Sequence, residues 1–172
     1  MGTLPFQTDP VAITPDRYLV GQIDAAWPSN VMSARIEVDG VPPGVWVVLD
    51  ETDTPGTGEP LRARLPAAAG DVTEAKLWGL VAMDDTKPQE ADGTVVYNDG
   101  DLAPIMVRGR MAVLPEDTIA IGAAPFVRHT ATPPEQLGAM RSDADTADAV
   151  ILTQARTVTA MGAALIGVIE VY

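Results

Sequence analysis

The chain has 172 residues, of which 47% are hydrophobic and only 5% aromatic, so one domain with a core of small and β-branched side chains is expected. Lys and Arg number 11 against 24 Asp and Glu, and a net charge of −13 gives no basic surface for nucleic acid and is repelled by an anionic membrane, so neither is expected as a partner. The absence of cysteine excludes disulfide frameworks, thiol catalysis and zinc ribbons.

Residues 1–15 are predicted to form an extended N-terminal arm. Prolines at positions 5, 10 and 15 fix φ and remove backbone donors, which argues against a helix. Such a segment is either a disordered tail or an arm that adds a strand to a partner's sheet. Phe6, Val11 and Ile13 favour the arm, because apolar side chains are unusual in a purely solvated segment.

Residues 16–172 are predicted to form one β-rich domain. Residues 17–25 are rich in strand formers. Residues 33–41 alternate apolar and charged side chains and contain an Asp-Gly turn signal, which is typical of a half-buried strand. Further short apolar runs, with polar or proline-rich loops between them, lie at 44–51, 61–65 and 75–85.

The segment from Tyr97 to Asp117 is predicted to form a bent hairpin of the kind that turns a barrel corner. Its Asn-Asp-Gly-Asp sequence supplies turn chemistry, because these residue types tolerate positive φ. Gly109 interrupts the following apolar run and indicates a bulge, a tight bend or a close backbone approach. The candidate turn and bend residues are Gly79, Gly100, Asp101 and Gly109.

The C-terminal part is predicted to add further short strands. Residues 118–130 contain one or two of them, and residues 131–150 are a polar, irregular loop. Residues 151–161 allow a helix, but their Val, Ile and Thr content favours a strand, and residues 164–172 form the last strand. About nine short strands separated by turns predict an all-β fold, either a single compact barrel or a sandwich.

Motifs for catalysis, metal binding and phosphate binding are missing, so no catalytic residue, metal or cofactor is expected. His129 is the single histidine and is interpreted as structural. Asp143, Asp145 and Asp148 resemble the start of a calcium loop, but the glycine and glutamate that complete such a loop are absent. These aspartates are therefore interpreted as part of a solvated loop.

Two other functions remain open at this point. Trp27, Trp46 and Trp78 would serve a carbohydrate-binding or adhesion module if they formed a stacking platform, although tryptophans are more often core or interface anchors. A two-carboxylate glycosidase would need paired acids at the right separation. The candidate acids at apparent strand ends are Asp50, Glu51, Asp53, Asp84 and Asp85.

The order and spacing of several segments resemble the structural cement, or capsid decoration, proteins of tailed bacteriophages. "IEVDGVPPGVWVVLDE" is followed by "KLWGLVAMDD", then by a Tyr-x-x-Gly-Asp turn that leads into "PIMVRGRMAVLPED". "IAIGAAPFVR" and a closing "LIGVIEVY" complete the resemblance, which spans residues 16–172. The positions that carry it are Gly79, Tyr97, Gly100, Asp101, Gly109, Gly122 and Gly138.

This resemblance implies a β-rich, non-enzymatic protein on the outer surface of the virion, present in the host cytoplasm during assembly. It implies the major capsid protein as partner, homotrimers at three-fold or quasi-three-fold positions, and stabilisation of the shell after expansion, with no cofactor. Phe6, Val11 and Ile13 then become the expected capsid-binding residues of the arm, since strand addition suits an extended segment.

Overall fold

The computed structural model describes residues 19–50, 61–72, 78–89, 94–163 and 165–172, and these form ten strands and two short 3-10 turns. The strands are β1 Asn30–Ile36, β2 Trp46–Asp50, β3 Leu61–Arg64, β4 Trp78–Val81, β5 Leu102–Val113, β6 Phe126–Arg128, β7 Met140–Arg141, β8 Ala149–Ile151, β9 Ala155–Thr157 and β10 Gly167–Val171. The 3-10 turns are Ala69–Val72 and Asp145–Ala147. The all-β prediction is confirmed.

Five of the strands close into a barrel. They follow the order β1-β3-β2-β4-β5, and β1 also pairs with β5, which joins the two ends. The β1–β3 pair is parallel, whereas the other pairs in the barrel are antiparallel. A separate three-stranded sheet has the order β7-β6-β8. The choice between barrel and sandwich is therefore settled as a closed barrel with additional strands.

Strand β5 links the barrel to the C-terminal strands. Its residues Leu102–Arg108 pair with β1, while Gly109–Val113 pair with β10, which in turn pairs with β9. The change of partner falls at Gly109, whose φ of +133° is a conformation that L side chains rarely adopt. The prediction of a hairpin was wrong, because the segment after the turn is one bent strand.

The residues before β1 support β5 without forming a strand of their own. Ile23 makes an isolated antiparallel bridge with Met111, and the Gly21 N–H donates to the Ala112 carbonyl over 2.8 Å. A strand was predicted over residues 17–25, but the described part of this segment forms only the single bridge at Ile23.

The C-terminal predictions are confirmed. Residues 151–161 contain the strand β9 rather than a helix, and β10 is the predicted last strand.

The core consists of two hydrophobic clusters, and β2 lies between them with side chains from each of its faces in one cluster. Val47 and Leu49 belong to a barrel interior of small and β-branched side chains together with Tyr97, as the composition predicts. Trp46 belongs to a second cluster, which fills the space toward the other strands and contains four methionines: Met106, Met111, Met140 and Met161.

None of the helical turns in the described ranges is long or apolar enough to cross a membrane.

Candidate interaction surface

A network of charged side chains holds together the segment between β6 and β8, which contains β7. Arg128, with a side chain only 1% exposed, places Nη2 2.8 Å from Glu116 Oε2 and 2.7 Å from Asp145 Oδ2. Arg141 Nη1 lies 2.8 Å from the same Asp145 oxygen. Burial disfavours the charged form of Arg128, but its hydrogen bonds to Glu116 and Asp145 outweigh burial and raise its pKa.

This network, which we call the arginine network, includes two of the three aspartates that resemble a calcium loop, Asp143 and Asp145. Asp143 accepts hydrogen bonds from Arg141, and these bonds lower the pKa of the Asp143 carboxyl. Asp145 is shared by the two arginines and begins a turn in which Asp145, Thr146 and Ala147 all have positive φ. In the described part of the chain, no group of three or more His, Cys, Asp or Glu is arranged to hold a metal.

An apolar groove of about 550 Å³ opens where the described chain begins. Leu19 and Leu114 stand on its walls and are 59% and 46% exposed. The lining is rich in proline: Pro42, Pro43, Pro115 and Pro134. Leu19, the first described residue, therefore lies at this groove. Phe6, Val11 and Ile13 lie outside the described residues.

The three tryptophans do not form one platform. Trp46 is 3% exposed and packs edge-on against Trp78, with ring centroids 4.7 Å apart at 74°. Trp27 is 42% exposed, and the guanidinium carbon of Arg110 lies 3.6 Å from its ring centroid. The hypothesis that the three tryptophans form one carbohydrate-stacking platform is wrong, because Trp46 is buried and Trp78 is half-buried, whereas Trp27 is exposed.

The candidate acids divide between the described and undescribed parts of the chain. Asp84 accepts hydrogen bonds from the Thr86 backbone N–H and hydroxyl, and the backbone bond is the main cause of a lowered Asp84 pKa. Asp84 thus organises a local turn that includes Asp85. The Asp50 side chain, Glu51 and Asp53 lie outside the described residues.

The candidate turn and bend residues lie around β5. Gly79 sits in β4, where an added Cβ would be 2.6 Å from Ile105 Cγ2 and 2.7 Å from the Met106 carbonyl oxygen. Gly100 has φ +88° in the turn before β5. Asp101 accepts the Asn98 N–H and forms an ion pair with Lys87, and these interactions, the backbone bond first, lower the Asp101 pKa.

His129 is buried at 8% exposure, beside the arginine network. Its backbone N–H donates to the Asp148 carbonyl, and its Nδ1 lies 3.1 Å from Thr130 Oγ1. The arginine network is not among the features predicted from the sequence. The signal in the sequence is Arg128 directly after the apolar residues of β6, because a buried arginine requires carboxylate partners.

Comparison with known proteins identifies similar chains. The model of a family described as "Structural cement protein (E217 gp24/Pam3 gp6)" matches residues 6–172. A chain in a structure titled "The capsid of Myoviridae Phage XM1" is similar with a TM-score of 0.65 and 17% identity, covering 89% of each chain, which shows a shared fold.

A second solved structure, of the head fiber gp8.5 N base in bacteriophage phi29, has a TM-score of 0.41 and 11% identity, covering 84% of this chain and 95% of that one. At this level of similarity it supports no conclusion. No curated protein matches this chain.

Proposed function

Since the chain belongs to the phage structural cement protein family, we propose that it binds the outside of the major capsid shell as a homotrimer and stabilises the shell after expansion. The family match over residues 6–172 carries this proposal, because it covers nearly the whole chain. The fold shared with a chain of the phage XM1 capsid structure is consistent with it. The role is structural, without catalytic residues or a cofactor, and the protein belongs to the outer surface of the virion.

The architecture suits a protein that must stay soluble until it docks. Closing β1 onto β5 leaves no open edge in the barrel, and open edges are where chains pair and aggregate. Additional strands of the described chain, such as β7 and β9, are only two and three residues long. The net charge of −13 keeps free copies apart in solution.

The N-terminal arm is the proposed contact with the major capsid protein. The described chain begins at Leu19, on the wall of the apolar groove, and residues 1–15 carry Phe6, Val11 and Ile13 between their prolines. An extended segment of this kind can add a strand to an exposed sheet edge of the shell. In a trimer, three such arms act together, so the overall affinity exceeds that of one arm.

Co-sedimentation with shells prepared before and after expansion tests the proposal. We expect saturable binding to expanded shells only, and weaker binding after deletion of residues 1–15. A sharper variant replaces Phe6, Val11 and Ile13 with alanine. Its matched control replaces Thr3, Gln7 and Thr8 with alanine, which alters the same arm without removing apolar side chains. Absence of binding to both shells would contradict the proposed function. Equal losses of shell binding in the two triple variants would show that Phe6, Val11 and Ile13 have no special role in binding.

The oligomeric state has its own measurement. Sedimentation of the free protein, together with the number of copies bound per shell at saturation, is expected to show trimers in solution or groups of three on the shell. Copies that remain single in both settings would contradict the homotrimer while leaving capsid binding intact.

A further inference from the structure

A second surface shares no residue with the apolar groove. It is a pocket of about 440 Å³ lined by Trp27, Pro28, Ser29, Asn30 and Arg108, and we call it the Trp27–Arg108 patch. It combines an accessible aromatic ring with an exposed guanidinium group. Trp and Arg are the residue types most enriched among those that dominate binding energy at protein interfaces.

The bend in β5 builds this pocket. Asn30 of β1 pairs with Arg108 of β5, and the register shifts between Asn30 and Val31. Ser29 lies so close to Gly109 that a Cβ at Gly109 would be 2.8 Å from the Ser29 Cβ. The chain segment that carries Trp27 is therefore held directly against β5, and the two side chains of the patch sit on a rigid support.

Trp27 is also fixed as an individual side chain. The Arg110 guanidinium carbon lies 3.6 Å from its ring centroid. Arg110 Nη2 is in turn 3.4 Å from Glu170 Oε2, and the Glu170 side chain is only 9% exposed. The remaining exposed part of the ring is available to a ligand, and little side-chain freedom is lost when it is covered.

Arg108 stands apart from the other basic residues. It is exposed, and among the described residues it has no carboxylate partner, although the chain carries 24 acids against 11 basic residues. Arg35 is the only other described Arg or Lys that is exposed and has no carboxylate partner among the described residues. The remaining ones form ion pairs: Arg62, Arg64, Lys87, Arg110, Arg128, Arg141 and Arg156. A guanidinium beside an accessible ring is suited to a carboxylate from outside the chain.

We propose that the Trp27–Arg108 patch binds an acidic segment of a protein partner. A carboxylate of the segment accepts hydrogen bonds from Arg108, and a neighbouring apolar side chain packs on Trp27. A peptide fits better than an acidic sugar, because Ser29 and Asn30 are the only other polar side chains of the pocket and sugar hydroxyls require more. The biological setting, a contact within the shell assembly, rests on the proposed function, whereas binding itself does not.

Titration of the full chain with the blocked peptide Glu-Glu-Leu-Glu-Glu, followed by tryptophan fluorescence, tests the patch. We expect saturable binding, no binding of Gln-Gln-Leu-Gln-Gln, and loss of the fluorescence change in Trp27→Phe. Arg108→Gln is expected to weaken binding about tenfold, because a charge-assisted hydrogen bond is lost. The matched control Arg35→Gln removes the same charge from another exposed strand position and is expected to leave affinity unchanged.

Three outcomes would overturn the inference. One is no saturable binding of the acidic peptide. Another is equal weakening by Arg108→Gln and Arg35→Gln, which would show only the general effect of charge. The third is tighter binding of an acidic oligosaccharide than of the peptide. Shell co-sedimentation of the same variants separates this inference from the proposed function, because peptide binding can persist in a chain that binds no shell, and shell binding can persist without peptide binding.

Discussion

Gly109 and Ser29 lie side by side where the chain entering β1 runs antiparallel to β5. The backbone of Gly109 has φ +133°, and a Cβ at this position would lie 2.8 Å from Ser29 Cβ and 3.0 Å from Ser29 Cα. This contact lies at the point where β5 changes its partner from β1 to β10. The bend thus joins the barrel to the C-terminal strands and also shapes the Trp27–Arg108 patch.

Replacement of Gly109 with alanine is expected to lower the free energy of unfolding by ~3 kcal/mol, since the conformation is strained for an L residue and the methyl group overlaps Ser29. Urea denaturation measures the loss. Gly122→Ala is the matched control, because Gly122 has φ +79° but nothing within 4 Å of its added Cβ. It is expected to cost about 1 kcal/mol. Equal losses in the two variants would show that the contact with Ser29 adds nothing.

The arginine network is expected to stabilise the β6–β8 region strongly. Arg128→Met leaves Arg141 as the only described cationic partner of Glu116 and Asp145, and breaking ion pairs of a buried arginine costs about 3 kcal/mol. Glu135→Gln removes the charge of a partner that is 36% exposed, so its cost is expected to stay below about 1 kcal/mol. Thermal unfolding of both variants measures the difference. Similar melting temperatures for Arg128→Met and Glu135→Gln would contradict a strong stabilisation by Arg128.

Glu170 is expected to add a pH-dependent component to stability. Burial raises its pKa, but the Arg156 hydrogen bond and the charges of Arg110 and Arg156 outweigh burial, so the folded-state pKa is below the ordinary value of 4.5. The stabilisation is present above pH 4.5 and is lost as the pH falls through the lower folded value. Glu170→Gln is thus expected to cost ~2 kcal/mol at neutral pH and progressively less below pH 4.5.

Urea denaturation of the natural chain and of Glu170→Gln, from neutral pH down to about pH 3, measures this component. Arg156→Ala removes one of the two cationic partners and is expected to reduce the pH-dependent part of the difference. A constant difference between the natural chain and Glu170→Gln over the whole range would contradict the assigned role of the carboxylate.

Tyr97 is expected to be the most stabilising tyrosine hydroxyl of the described chain. It is fully buried, donates to the Ala82 carbonyl over 2.9 Å and accepts the Asp84 N–H over 3.0 Å. Tyr97→Phe leaves both backbone groups without this partner, at a cost of about 2 kcal/mol in the free energy of unfolding. Tyr172→Phe changes a tyrosine that is 60% exposed and is expected to cost far less.

The same residue predicts behaviour at high pH. Burial raises the pKa of Tyr97 to about 12 from an ordinary value of 10.0. The stabilisation from the neutral phenol is complete below pH 10 and is lost as the pH rises through about 12. Ultraviolet titration of phenolate in the natural chain and in Tyr97→Phe is expected to show one late-titrating tyrosine that the variant lacks. Identical titration curves would contradict this assignment.

Local sequence signals predicted the elements well but not their partners. The alternation in residues 33–41, the turn chemistry before Asp101 and the Val-rich end of the chain predicted strands and a turn near those that exist. The hairpin predicted for residues 97–117 is wrong, because turn chemistry and a glycine mark special backbone conformations without determining which strands pair. Whether β5 turns back or continues depends on β10, about 60 residues away in sequence.

The sequence by itself determined the all-β class, the net charge of −13 and the resemblance to the cement family, since these depend on residue types and their order. Tertiary structure decided that β1 closes the barrel against β5, that Trp46 is buried while Trp27 is accessible, and that Arg128 meets Glu116 and Asp145. The physical reason is that strand propensity and turn chemistry act over a few residues, whereas pairing, burial and ion pairing depend on contacts between distant segments.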